Sequence, residues 1–350
     1  MYSGKKISVA IATYNGEKYI KEQLRSILAQ TVQPDEIIIS DDGSTDGTIG
    51  VIKSIIEAED SGNIEWILVN NDQRHGYTGN FEHALSCSSG DYTFFCDQDD
   101  VWMENKVQHV LQAFLNHPDA WLICHDAIMV DADMQAIHTL FAPDFPRSGI
   151  TERRGELFRF DQKTFLAKSV TSTFPGMVMC LSRECVENIM PVPRMNGHDT
   201  WAFFCAMCEE RAYYLPEALT YYRIHGTNVS SPVESRRSLA HRLKKYRKML
   251  SKPSSYSAPL YAQSSAMLKR LEKYGIDKDQ KAFQKANAMF VMSSQMRKAE
   301  QSGRIKGAAL LLRLHLRNDL YHAVGVRQFT AHLMNILLFS KKERRNYLEQ

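Results

Sequence analysis

Two periods alternate in the apolar positions of this chain. Runs of β-branched and aromatic residues at 7–13, 36–40, 64–70 and 92–96 read as strands. Between them the apolar positions recur at helical spacing, as Ile20, Leu24, Ile27 and Leu28 do within a helix predicted over 17–30. Further helices are predicted near 48–58 and 80–86. This order of strand and helix predicts a mostly parallel, doubly wound α/β sheet with helices on its faces. The stretch 126–174 is less regular, residues from about 235 onward read as helical, and no internal repeat is present.

Composition adds a division of the chain. A length of 350 residues with 44% hydrophobic content supports a large core and allows two or three domains. The formal net charge of +3 conceals a step: residues 1–234 carry 18 Lys and Arg against 33 Asp and Glu, a net of −15. Residues 235–350 carry 25 against 7, a net of +18. We therefore expect an acidic domain over 1–234 that carries the chemistry and a basic, mainly helical region over 235–350. So basic a region calls for an anionic partner, whether nucleic acid, anionic lipid or the acidic domain itself. No RNA-binding or helix-turn-helix signature is present, so nucleic acid is not expected. Segments 239–250 and 308–316 mix Leu with Arg and Lys as interfacial helices do, and an apolar stretch at 329–339 precedes Lys341, Lys342, Arg344 and Arg345. A peripheral anchor on an anionic membrane surface is the leading expectation, and a helical subdomain packed on the acidic domain is the alternative. No charged-then-apolar leader opens the sequence, and no apolar run reaches the ~18 residues of a spanning helix. The expected location is the cytoplasm, peripheral at the inner face of the cytoplasmic membrane. Seven irregularly spaced cysteines fit reduced thiols, and Cys205 and Cys208 read as core residues of an apolar helix.

The candidate chemistry lies where the predicted strands end. Strand 92–96 runs into Asp97, Gln98, Asp99 and Asp100, and crowded carboxylates raise one another's pKa unless a hard cation relieves them. Strand 36–40 ends in Asp41 and Asp42, followed by Gly43, Ser44, Thr45 and Asp46. In an open α/β sheet ligands sit beyond the carboxyl ends of the strands, so both acidic ends point to one crevice suited to a nucleoside diphosphate with its metal. Thr13, Tyr14, Asn15 and Gly16 close the first strand with backbone groups, a ring and a glycine-opened turn suited to a flat base. Asp41 and Asp42 are suited to accept from a pyrimidine imide or ribose hydroxyls, and capping of the next helix by Ser44 or Asp46 is compatible with that role.

Taken in order, these motifs resemble those of the inverting GT-A glycosyltransferases of family two, over roughly residues 5–230. Residues Val9 to Gly16 look like the family's opening strand and turn, Ile39 to Asp46 like its base-binding element, and Asp97-Gln98-Asp99 like its DXD metal motif. Asp100-Val101-Trp102 follows as in many bacterial members that build surface polysaccharides such as O-antigen and capsule. The resemblance implies a GT-A fold and a nucleotide-sugar donor held by Thr13, Tyr14, Asn15, Glu17, Asp41, Asp42, Asn80, Asp97 and Gln98. It implies Mn2+ or Mg2+ held by Asp99, with Asp97 and His225. It also implies a general base at Asp199, an Asp at the head of an apolar helix that would otherwise serve only as its cap. Asp100, Trp102, His198, Trp201 and Arg223 form a wider group facing the acceptor or the diphosphate, Trp201 as an acceptor wall or a core residue and Arg223 as a phosphate fork. The implied acceptor is a glycan, expected to be lipid-linked, and the donor a UDP- or dTDP-sugar.

Two other classes fit parts of the pattern: a non-catalytic nucleotide-sugar-binding module and a sugar nucleotidyltransferase. The first predicts loss of a metal ligand or base, yet Asp97, Asp99 and Asp199 are present. The second normally has a Gly-rich, Arg- or Lys-containing phosphate loop after its first strand, which Thr13 to Glu17 is not.

Overall fold

The computed structural model describes residues 4–58, 63–72, 76–140, 157–160, 174–193, 197–225, 257–276, 278, 281–302, 305–306 and 308–310. The chain divides into two compact units, Met1–Asn228 and Val229–Gln350.

In the first unit, β1 (Ile7–Thr13), β2 (Glu36–Asp41), β3 (Glu65–Asn70) and β4 (Tyr92–Asp97) run parallel in the order β3-β2-β1-β4. The intervening helices are α1 (Ile20–Leu28), α2 (Thr48–Ala58) and α3 (Tyr77–Cys87). Helix α1 buries Ile20, Gln23, Leu24 and Ile27, the i, i+3, i+4, i+7 stripe that its sequence predicts. The register sets Thr13 opposite Asp41 and Ala12 opposite Asp97, so the acidic strand ends share one edge of the sheet.

The opposite edge is locked by Glu36, which is 1% exposed. Its carboxylate accepts from Ser8 Oγ on β1 at 2.6 Å and from the backbone N–H and Oγ of Ser89 before β4, each at 2.6 Å. Lys6 Nζ lies 2.6 Å away. Burial alone would raise the Glu36 carboxyl, but the Lys6 ammonium and these hydrogen bonds outweigh it and hold the pKa down to about 2.

The second half of the sheet departs from simple parallel winding. It adds β5 (Val101–Trp102), α4 (Lys106–Asn116), β6 (Leu122–Val130), β7 (Ala136–Thr139), β8 (Phe158–Arg159), a 3-10 turn at Gly176–Val178, β9 (Met179–Ser182), α5 (Arg183–Ile189), α6 (His198–Cys208) and β10 (Ala212–Arg223). Strand β9 lies antiparallel between β4 and β6, β10 is parallel to β6, and the order continues β4-β9-β6-β10-β5. The irregular stretch of the sequence thus begins inside a nine-residue strand, β6, and includes its partner β7.

In the second unit, α7 (Ser257–Lys273) and α8 (Lys281–Glu300) pack through Met267, Leu271, Ala286, Met292 and Met296, with the Tyr261 and Phe290 rings 4.9 Å apart. Segments 239–250, 329–339 and 341–345, on which the membrane expectation rests, lie outside the described residues, as does 308–316 beyond 310. Among the described residues no helix is long and apolar enough to cross a membrane.

Candidate active site

The loops after β1, β2 and β4 are tied into one frame. Asp41 is buried, and both its oxygens are engaged: Oδ1 accepts from Gly43 N at 3.1 Å and Ser44 N at 2.7 Å, and Oδ2 from Thr13 Oγ1 at 2.9 Å and Ser44 Oγ at 2.6 Å. Gly43 carries φ +82°, which a glycine adopts without strain. Asp42 reaches outward, accepting from Asn71 Nδ2 at 3.2 Å and from Gly76 N at 2.7 Å, and so joins β3 to the start of α3. Asn80 is buried and donates from Nδ2 to Thr13 O at 3.1 Å, while its Oδ1 has no hydrogen-bond partner.

Asn15, Glu17 and Gln98, expected at the nucleotide, brace these loops. Asn15 Oδ1 accepts from Thr45 N at 2.8 Å, and Glu17 Oε2 accepts from Gly47 N at 2.9 Å. Gln98 closes a two-point bridge with Tyr14, accepting from its N–H at 2.9 Å and donating to its carbonyl at 3.1 Å. Gly16 lies beneath this bridge, and a Cβ there would stand 2.3 Å from Gln98 Oε1 and push that side chain aside. The Tyr14 ring itself is 55% exposed at the mouth of the frame.

A cluster of carboxylates sits beside it. Burial raises the Asp97 carboxyl above the ordinary carboxylate range, and the negative charges of Asp99 and of Asp199, from the first turn of α6, raise it further. Asp199 Oδ1 also accepts from Thr200 N at 2.6 Å. Asp99 Oδ2 lies 2.8 Å from His225 Nε2. Asp100 is buried, its carboxyl is pushed well up by desolvation and then by Asp99 and Asp97, and its Oδ1 accepts from Arg223 N at 3.0 Å. Asp100 therefore anchors β10 through Oδ1, while its buried Oδ2 has no hydrogen-bond partner.

Beneath the cluster lies a residue that the sequence reading missed. Lys106 is 0% exposed, donates to Met177 O at 2.8 Å and Thr220 Oγ1 at 3.0 Å, and sits 3.9 Å from the Trp102 ring centroid. Desolvation lowers its pKa to about 7, against the opposing pull of groups that include Asp100 and Asp97. Its one visible signal is position: Lys106 falls four residues before Val110 and seven before Ala113, on the buried face of α4.

Four of the wider group are also used by the protein itself. Trp102 is a core residue against Phe94, and Trp201 is buried with Nε1 donating to Ile189 O at 2.9 Å. Arg223 is 3% exposed, stacks on Tyr19 with its guanidinium carbon 4.6 Å from the ring centroid, and pairs with Glu22. The guanidinium expected as a phosphate fork is thus engaged within the protein by Tyr19 and Glu22. His198 is buried and stacks on Phe81 at 3.7 Å, and burial lowers its pKa to about 4, so its imidazole is neutral near pH 7. The Tyr77 ring, 53% exposed, meets His198 edge-on at 6.4 Å.

The residues fit a divalent cation of a particular kind. Among the described residues no three His, Cys, Asp or Glu side chains form a ready-made metal cage. One carboxylate and one imidazole converge at Asp99 and His225, with Asp97 held at raised pKa by burial and then by its like-charged neighbours. Such a set suits an ion that takes one or two protein ligands and completes its shell from substrate phosphates.

This architecture, with its strand-end carboxylates, is that of the GT-A glycosyltransferases. The chain belongs to glycosyl transferase family 2, whose pattern matches residues 8–181. It is 31% identical over 222 residues to the putative glycosyltransferase EpsE of Bacillus subtilis, covering 63% of this chain and 73% of that one. It is 24% identical over 219 residues to the GalNAc(5)-diNAcBac-PP-undecaprenol beta-1,3-glucosyltransferase of Campylobacter jejuni, covering 63% of this chain and 65% of that one. Among solved structures, TarS residues 1–349 of S. aureus in complex with UDP-GlcNAc superposes with a TM-score of 0.50 at 16% identity, covering 98% of this chain and 92% of that one.

Proposed function

We propose that the chain transfers a sugar, with inversion, from a UDP- or dTDP-sugar to a hydroxyl of a lipid-linked glycan during synthesis of a bacterial surface polysaccharide. The observation that supports this reading is that Asp97 lies within electrostatic reach of both Asp99 and Asp199, since inversion by direct displacement needs a proton acceptor beside the leaving diphosphate. Asp199 takes the proton of the attacking hydroxyl at its carboxylate. Asp41, Asp42 and Asn80 hold the loops, with Thr13 and Tyr14, against which the nucleoside lies. A divalent Mn2+ or Mg2+ held by Asp99 and His225, with Asp97 beside them, would offset the charge developing on the departing diphosphate. The undecaprenol carrier in the name of the Campylobacter relative supports the lipid-linked acceptor. Such an acceptor makes a peripheral position at the inner face of the cytoplasmic membrane useful, with the basic residues 235–350 as its contact.

The test is nucleoside-diphosphate release from UDP-, dTDP- and GDP-sugars in the presence of membrane extract, with Mn2+ or Mg2+ and with EDTA. Release from one donor is expected to disappear with EDTA and in Asp99→Ala. Asp199→Asn is expected to lower kcat about 10²- to 10⁴-fold while nucleotide binding persists. Nucleotide binding without release from any donor would point instead to the binding-module reading.

A further inference from the structure

His225 lies just past the end of β10, where the ladder to β6 finishes with Arg223 opposite Val130 and one further bond from Ile224 N to Val130 O at 2.8 Å. An imidazole at a strand exit has little backbone to orient it. Here an aromatic ring from another part of the chain supplies that support. Tyr19, the residue before α1, is 8% exposed, and its ring centroid is 4.7 Å from that of His225 at an interplanar angle of 31°. The same ring carries the Arg223 guanidinium carbon at 4.6 Å and Lys18 Nζ at 4.8 Å.

Each partner is itself fixed. Arg223 is held by Glu22 through its guanidinium and by Asp100 through its backbone N–H. Tyr19 is held at its backbone, donating to Gly16 O at 3.0 Å and accepting from Glu22 N at 3.0 Å. We propose that Tyr19 is a positioning residue: its ring, clamped by Arg223 and Glu22, sets the His225 imidazole so that Nε2 meets Asp99 at the metal and diphosphate position. The inference rests on the metal-assisted transfer reading above. It follows from a general property of such sites, that the groups orienting a ligand side chain govern affinity as well as the ligand does.

The test uses the full chain and reads Mn2+ binding directly, from the free-Mn2+ electron paramagnetic resonance signal with UDP present and, in a parallel arm, dTDP. Tyr19→Leu removes the platform and is expected to weaken Mn2+ binding about tenfold, within the range of about 10- to 100-fold seen when supports of metal ligands are lost. Tyr19→Phe keeps the ring and is expected to restore binding. His225→Ala is expected to lose at least as much as Tyr19→Leu, and combining the two to lose no more than His225→Ala alone, because Tyr19 acts through His225. In transfer assays the Tyr19→Leu defect appears as a raised Mn2+ requirement with kcat recovered at saturating Mn2+, which a general loss of folding would not produce. Should Tyr19→Leu destabilise the protein, Glu22→Gln frees the clamp from its exposed end and is expected to weaken Mn2+ binding in the same direction by a smaller factor.

Native Mn2+ binding in Tyr19→Leu alongside a tenfold loss in His225→Ala would overturn the clamp, and so would additive losses in the double variant. Native binding in His225→Ala would remove the ligand that Tyr19 is held to position and overturn it as well. Failure of the wild-type chain to release nucleotide from any donor counts against the transferase reading alone, because the Mn2+ titration reads the clamp without turnover.

Discussion

Glu36 offers a perturbation whose size follows from the structure. Its folded pKa of about 2 stands below the 4.5 of an unperturbed glutamate, and it is depressed, so the carboxylate contributes stability above the unfolded value and loses it as pH falls toward the folded one. The difference corresponds to about 3 kcal/mol at pH 7, falling to roughly 1 kcal/mol at pH 3 and vanishing below pH ~2. Glu36→Gln keeps the shape but sets an NH2 among donors from Ser8, Ser89 and Lys6. It is expected to cost about 2–3 kcal/mol at pH 7, with the gap to wild type narrowing on acidification through the window from pH ~4.5 to ~2. All four tryptophans, Trp66, Trp102, Trp121 and Trp201, lie in the first unit, so urea unfolding followed by tryptophan fluorescence reports that unit alone. The lock lies at the sheet edge away from the carboxylates, so kcat measured well below the melting temperature is expected to be unchanged. A gap under about 1 kcal/mol at pH 7, or one as large at pH 3 as at pH 7, would refute the argument.

Two further substitutions probe the same framework. Lys106→Met leaves Met177 O and Thr220 Oγ1 without their buried donor and is expected to cost about 2–5 kcal/mol, read as a lower tryptophan-fluorescence melting temperature. Gly90→Ala puts a Cβ 2.3 Å from Ser8 Oγ and 2.9 Å from Lys6 O, and is expected to cost about 1–3 kcal/mol in urea unfolding. Its loss should fall short of additivity with Glu36→Gln, since both pull Ser8 from the same carboxylate.

The parallel half of the sheet was legible because its strands carry uninterrupted β-branched and aromatic runs, and because acidic residues at their ends mark one shared edge. Strand β9 was not, since four residues between a proline-glycine turn and α5 carry too short a pattern to separate from a loop. The polar strand-end residues illustrate a different limit. Asn15, Glu17 and Gln98 read as ligand-facing by residue type, and only the fold reveals that they also take hydrogen bonds from loop backbone. Arg223 has the side chain of a phosphate fork, and only the fold reveals that Glu22, 201 positions earlier, and Tyr19 already hold it. Lys106 reads as a solvated helix end by residue type, and its burial emerges only once β10 and the 3-10 turn close over α4.

The bridge between Gln98 and Tyr14 has a practical bearing on re-engineering the donor. Two hydrogen bonds join the loop after β1 to the loop after β4, and a side chain in place of Gly16 would push Gln98 out of them. Grafting either loop from a relative with a different sugar would therefore import half of a matched pair. A chimera that exchanges residues 13–17 together with 97–100 preserves the joint, and loop libraries for this scaffold are best built with those two segments varied as one cassette.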